Sequence, residues 1–234
     1  MRSETFIRQD KALHADMLAA MAEGRAEILF DSEDTLLLRE NICGVHFLTS
    51  RNAAEAEALL CRLFRESADT VLHGELPFRV AERIGFQIDP PCVQVMYEGA
   101  LLPVSRELDI RRPKNADFPV VCANYSLIGG DALRRDFDRP DFLCGYLDGK
   151  PVCFVGLHSE GSMGLLTVLP EYRRRGFARQ IYCTLINNQL QKHRLPYAQI
   201  YTDNENSLNL QKSLGFSFSC EPIRWSWNPG DAQG

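Results

Sequence analysis

The run Leu165-Leu166-Thr167-Val168-Leu169, closed by Pro170, constrains this chain more than any other stretch. It leads into Arg173-Arg174-Arg175-Gly176-Phe177-Ala178-Arg179, and a helical pattern then runs from about Phe177 to His193. The apolar run reads as a strand, and the proline ends it. A strand that feeds a helix N-terminus through a basic, glycine-containing loop is a place for phosphate. The first-turn N–H groups have no intrahelical acceptor, and the helix dipole favours negative charge there. Gly176 lets the backbone approach an anion where a side chain would intrude. The plainer alternative is a surface loop with arginines for solubility. Three consecutive arginines beside a glycine at a helix start favour the phosphate site.

The chain around this element is that of an ordinary soluble protein. Its 234 residues suffice for one large domain or two small ones. A formal charge of −5 argues against a nucleic-acid partner, since a general binder carries a basic face. No apolar run approaches the ~20 residues of a membrane helix. No signal-peptide core follows Met1-Arg2-Ser3-Glu4. The expectation is a cytoplasmic protein without a membrane partner. Eight cysteines, at 43, 61, 92, 122, 144, 153, 183 and 220, form no C-x-x-C pair and sit at no ligand spacing from a histidine. They read as small buried hydrophobes in a reducing compartment, with no metal site.

Periodicity predicts helices over 11–24 and 53–65, the second with apolar Ala53, Ala56, Leu60, Leu63 and Phe64 at spacings of three and four. Short strands are expected at 28–30, 36–38, 45–48 and 93–97. A join falls at 103–113, followed by helices near 115–125 and 130–137. Strands at 142–147 and 152–157 flank Asp148-Gly149, a strong two-residue hairpin signal. A strand at 197–202, a helix over 207–214 ended by Gly215, and strands bearing Trp225 and Trp227 follow, with 229–234 expected to be a disordered tail.

Val168-Leu169-Pro170-Glu171-Tyr172-Arg173-Arg174-Arg175-Gly176-Phe177-Ala178 fills every defining position of the acyl-CoA-binding motif of the GNAT superfamily of N-acetyltransferases, and the segment resembles it. Asn204-Glu205-Asn206-Ser207 and the later Gly215-Phe216 resemble that family's second motif, and Trp225-Ser226-Trp227 is similar to the ending of the glycine N-acyltransferase branch. The resemblance implies an α/β (α+β) fold, a mixed, mostly antiparallel sheet flanked by helices, over residues 106–228. Residues 1–105 then form an N-terminal α/β domain. Ile84-Gly85-Phe86 echoes Leu214-Gly215-Phe216 without any arginine-glycine loop, so this half reads either as a degenerate copy that binds no cofactor or as a chance likeness.

The resemblance implies an acyl-CoA-dependent N-acyltransferase that moves acetyl from acetyl-CoA to a primary amine, a small molecule or peptide, in a ternary complex. The protein would be a monomer or homodimer. Arg173, Arg174, Arg175, Gly176, Phe177, Ala178 and Arg179 would hold the pyrophosphate. Leu166, Thr167 and Val168 would pair with the pantetheine amides as a strand edge does, with Asn204, Ser207 and Gln211 contributing from the next helix. A backbone N–H near Val168 would serve the oxyanion. The acid/base groups of relatives do not carry over, because Ser162, Thr167 and Gln211 stand in their places. Glu160, His158, Tyr201 and Asp203 are the replacement candidates, with Glu160 slightly ahead of His158. Each also has a plain reading, as a turn or packing residue. Two rivals remain: a CoA-binding regulatory protein without catalysis, and a phosphate- or nucleotide-binding module.

Overall fold

A computed structural model describes residues 1–231. It divides into two compact units: Met1–Tyr97 with the chain from Tyr197 onward, and Glu98–Pro196.

The first unit opens with helices α1 (Glu4–Ile7) and α2 (Ala15–Ala22) and the antiparallel strands β1 (Ala26–Asp31), β2 (Thr35–Glu40) and β3 (His46–Ser50). Helix α3 (Ala53–Arg65) then crosses to β4 (Thr70–His73), which pairs parallel to β3. Helix α4 (Glu75–Ile84), β5 (Gln87–Ile88) and β6 (Cys92–Met96) follow. The second unit holds β7 (Asp109–Arg111), α5 (Phe118–Asn124), α6 (Gly130–Asp138), β8 (Leu143–Leu147), β9 (Lys150–Leu157), β10 (Met163–Val168) and α7 (Phe177–Gln191). The chain then returns to the first unit as β11 (Tyr197–Tyr201), α8 (Glu205–Leu214), β12 (Ser217–Phe218) and β13 (Ile223–Trp227).

In the first unit the strand order is β1-β2-β3-β4-β13-β6-β11, with β12 on β6 and β5 on β13. The strands alternate, so Leu36, Leu38, Phe47 and Val71 meet Ile7, Met17 and Ala20 from α1 and α2. Leu37, Leu48 and Leu72 meet Leu60, Leu63 and Val80 from α3 and α4 on the opposite face. The second unit carries a four-stranded sheet, β10-β9-β8-β7. Phe142, Phe154 and Leu165 pack there with Val121, Leu133 and Phe137 of α5 and α6. Asp148 and Gly149 both take positive φ, 50° and 76°, as a two-residue turn joining β8 to β9 needs.

These units run differently from the stretches expected at 1–105 and 106–228. The chain beyond 196 finds its ladder partners in the N-terminal sheet: β11 pairs with β6, and β13 lies between β4 and β6. Three smaller differences stand out. The helix expected over 11–24 spans Ala15–Ala22. Strand β4 was not foreseen, because four residues buried on both faces give no alternation to read. Pro229–Asp231 forms a 3-10 turn where disorder was expected, and 232–234 lie outside the described residues.

The two halves nevertheless repeat one order. Two helices, three antiparallel strands, a helix, a strand and a helix closed by Gly-Phe occur in each, ending in a two-residue strand and a longer one. Gly85 and Gly215 both close their helices in the left-handed region, at φ 106° and 83°.

Candidate functional site

Strand β10 carries an irregularity that alternation alone does not reveal. Gly164 pairs with Gly156 and Thr167 with Phe154, so Leu165 and Leu166 together oppose the single residue Val155. This is a β-bulge, which takes a backbone group out of the ladder and re-aims side chains. Leu165 sits at φ 61°, uncommon for a non-glycine residue. Its side chain is held in the core with Phe142 and Phe154, which compensates the strain. Strand β10 is also the end of its sheet, and among the described residues it pairs only with β9. Its far edge therefore offers backbone groups beside the bulge. The edge spans Leu166, Thr167 and Val168, all half-buried.

Beyond Pro170–Tyr172, a 3-10 turn, the loop bends through Arg174 at φ 61° and Gly176 at φ 81° into α7. Gly176 is the N-cap residue and gives no side-chain cap, so the start of α7 lacks the hydrogen bond that a capping side chain would make. A Cβ at position 176 would meet nothing within 4 Å, which makes glycine necessary here for its backbone angle and not for room. The arginines divide their work. Arg173 Nε donates to the Val168 carbonyl at 3.0 Å and ties the loop to β10. Arg175 lies 4.8 Å from the Phe177 ring centroid. Both side chains are exposed, as are those of Arg174 and Arg179. Phe177 itself is buried, so only its backbone can meet a ligand. An uncapped helix start, a left-handed glycine and clustered guanidinium groups suit a pyrophosphate, and the free bulged edge suits an amide-bearing arm. The residues present thus fit coenzyme A.

The candidate acid/base groups gather at the β9–β10 turn. His158 Nδ1 lies 3.1 Å from Asp136 Oδ2, on α6. Burial opposes charge on this ring, but the Asp136 hydrogen bond and the nearby carboxylates of Glu160 and Asp136 outweigh it, and its pKa is raised above the usual 6.5. Glu160 is only 4% exposed and accepts a hydrogen bond from the Ser162 hydroxyl. Ser162 thus holds a glutamate two positions away.

Tyr201, Asn204, Ser207 and Gln211 belong to the other compact unit, so the structure does not gather them with the loop in one body. Tyr201 is half-buried, and its phenol is pushed up by burial and by Asp89, Cys92 and Asp203. Asn204 Oδ1 accepts from the Ser207 N–H at 3.2 Å and caps α8. Gln211 is 2% exposed, with its Oε1 unpartnered, so its side chain presents no surface to a ligand. The cysteines are mixed. Cys92, Cys144, Cys153 and Cys183 are buried, and burial lifts the first three thiols to about 12. Cys122 and Cys220 are exposed, contrary to the uniform burial expected. Among the described residues no helix is long and apolar enough to cross a membrane, and no group of three or more His, Cys, Asp or Glu is placed to hold a metal ion.

Sequence reasoning missed Asp136 and the bulge. Asp136 was legible only as a polar residue on an expected helix, and a bulge has no residue signature when its strained position is a leucine.

Comparison with known proteins bears on the fold. Residues 154–225 match the family model described as FR47-like protein. No curated protein matches significantly in sequence. Among solved structures, the chain is similar to a GCN5-related N-acetyltransferase from Kribbella flavida, with a TM-score of 0.61 at 11% identity over 94% of this chain and 96% of that one. It is similar to a GCN5-related N-acetyltransferase from Sphaerobacter thermophilus at 0.54 and 10% identity, over 92% and 88%. A Drosophila protein matches at 0.60 and 19% identity, over 83% and 74%. At these identities the likeness is one of fold. The chain has the fold of the GNAT N-acetyltransferases, and its FR47-like match spans the bulged strand's partner, the arginine loop and the helix that follows.

Proposed function

We propose that the protein transfers an acyl group, acetyl first among them, from acyl-CoA to a primary amine on a small molecule or peptide. The observation that carries this reading is the uncapped start of α7 beside the bulged free edge of β10. The amides of residues 174–178 and the surrounding arginines would hold the pyrophosphate, and residues 166–168 the pantetheine arm. Coenzyme A supplies the activated thioester. The chain supplies orientation, a backbone donor at the bulge for the developing oxyanion, and a proton acceptor at the β9–β10 turn. The branch resembling glycine N-acyltransferase, the cytoplasmic setting, the absence of nucleic-acid and membrane partners and a monomeric or dimeric state belong to the same proposal. We also infer that the N-terminal half is a degenerate copy of the same fold, from the shared element order.

Thermal shift with acetyl-CoA, CoA and ATP tests the reading, followed by thiol release from acetyl-CoA across a panel of amines. A ligand at 100 times its dissociation constant adds about 2.7 kcal/mol. Stabilisation by acetyl-CoA and CoA, with turnover on one amine, is expected. Stabilisation by ATP alone would favour the nucleotide-binding alternative. CoA binding without turnover on any amine would favour a regulatory protein.

A further inference from the structure

We propose that Asp136 and His158 form an acid–base pair in which His158 Nε2 takes the proton of the incoming amine and Asp136 is its positioning residue, with Gly164 as the floor that lets the ring lie there. This rests on the acyl-transfer reading above.

The geometry is specific. Asp136 is buried at 4% exposure in the last turns of α6 and has its Oδ2 3.1 Å from His158 Nδ1. A carboxylate at Nδ1 fixes that nitrogen as the protonated one and leaves Nε2 as the basic one. The ring lies on β10 directly before the bulge. A Cβ built on Gly164 would come within 2.2 Å of Nε2, so only glycine admits the ring in this position. The His158 side chain is 27% exposed, whereas the rival Glu160 is turned inward onto Ser162. The charged groups bearing on the ring are Asp136 of α6, Arg139 at the end of α6, and Glu160 of the turn. Two carboxylates and one guanidinium leave a negative surrounding, which supports the imidazolium formed on proton uptake.

The step balances as follows. Neutral His158 removes one proton from the ammonium of the acceptor, and the freed nitrogen lone pair forms a C–N bond to the thioester carbonyl. As the C–S bond breaks, the nitrogen gives up its second proton to the departing thiolate, and His158 releases the first to solvent. The products are the amide and the free CoA thiol. Proton transfer by a positioned side chain typically supplies about 10²–10⁴-fold.

The test combines histidine NMR with kinetics on wild type, Asp136→Asn, His158→Gln and Gly164→Ala. Asp136→Asn should lower the titration midpoint of His158 and weaken its Nδ1–H tautomer, both of which are read without substrate. The rate of thiol release from acetyl-CoA, with glycine as the acceptor probe or with water alone, should fall at least about tenfold in Asp136→Asn and His158→Gln, with acetyl-CoA affinity by calorimetry unchanged. The wild-type acid limb, set above pH ~6.5 by the raised ring, should move down in Asp136→Asn and vanish in His158→Gln. Gly164→Ala, which keeps both residues of the pair, should displace the ring and lose rate likewise. An unaltered His158 titration in Asp136→Asn, or wild-type rate and limb in His158→Gln, overturns the pair. Binding of acetyl-CoA to the wild type with no thiol release overturns it as well. Failure of the wild type to bind acetyl-CoA would instead bring down the acyl-transfer reading, and the pair with it.

Discussion

The passage from the third strand of each repeated half into the helix that follows, β3 to α3 and β10 to α7, differs between the halves in features that bear on an anion. In the first unit β3 leads through Asn52 into α3. Asn52 Oδ1 accepts from the N–H groups of Ala54 and Glu55, and Glu55 adds an acid to the first turn. Strand β3 is paired on both sides, by β2 and by the parallel β4. In the second unit β10 leads through Gly176 into α7. Its N-cap residue gives no side-chain hydrogen bond, no acid sits in its first turn, and among the described residues the strand pairs on one side only. One passage closes on itself; the other is left open. On the proposed reading, an acyl-CoA site needs no new fold, only a helix start without a side-chain cap and a strand paired on one side.

The largest effect is expected from putting an anion into the open passage. Gly176→Asp introduces a carboxylate at the anion site and a residue disfavouring φ 81°. It should weaken acetyl-CoA binding by about 100-fold or more, equivalent to ~3 kcal/mol. Calorimetry giving wild-type affinity in a folded Gly176→Asp variant would remove the loop from the account.

Acidity should separate the two units in sign. His14 of the first unit is displaced down to about 4, by burial first and by neighbouring His73 second. Its unfolded form therefore binds a proton that its folded form refuses. Stability is full above pH ~6.5 and is lost as pH falls toward 4, by up to about 3 kcal/mol. His158 of the second unit is displaced upward, so its contribution is present below pH ~6.5 and is lost as pH rises through the folded value. Urea unfolding of wild type and His14→Gln between pH 4 and 8 checks the first. A parallel loss in both proteins would refute the assignment to His14.

A smaller effect is expected at the closed passage. Asn52→Ala removes the cap of α3 and should cost about 1 kcal/mol of stability, with acetyl-CoA affinity unaltered. A change in affinity would mean that the first passage serves the ligand as well.

Much of the open passage could be read from residues: a proline after an apolar strand, three arginines and a glycine before a helical stripe. The periodic helices α3 and α7 and the Asp148-Gly149 turn were equally legible, because each rests on local spacing. What was not legible is long-range. Nothing in Tyr197–Tyr201 says that it will pair with Cys92–Met96, and nothing in Ile223–Trp227 says that it will enter between β4 and β6. Asp136 likewise meets His158 only because α6 packs over β9, twenty-two residues away in sequence. The turn candidates Glu160 and His158 could be named in advance, yet their opposite fates, one turned in and one paired at its Nδ1, depend on Ser162 and Asp136.

Amide hydrogen exchange with and without acetyl-CoA tests the central contrast most directly. New protection is expected at residues 166–168 and 174–179 and none at 52–56, where Asn52 already accepts from the amides of Ala54 and Glu55. Protection at 52–56, or unchanged exchange at 174–179 with acetyl-CoA demonstrably bound, would contradict it.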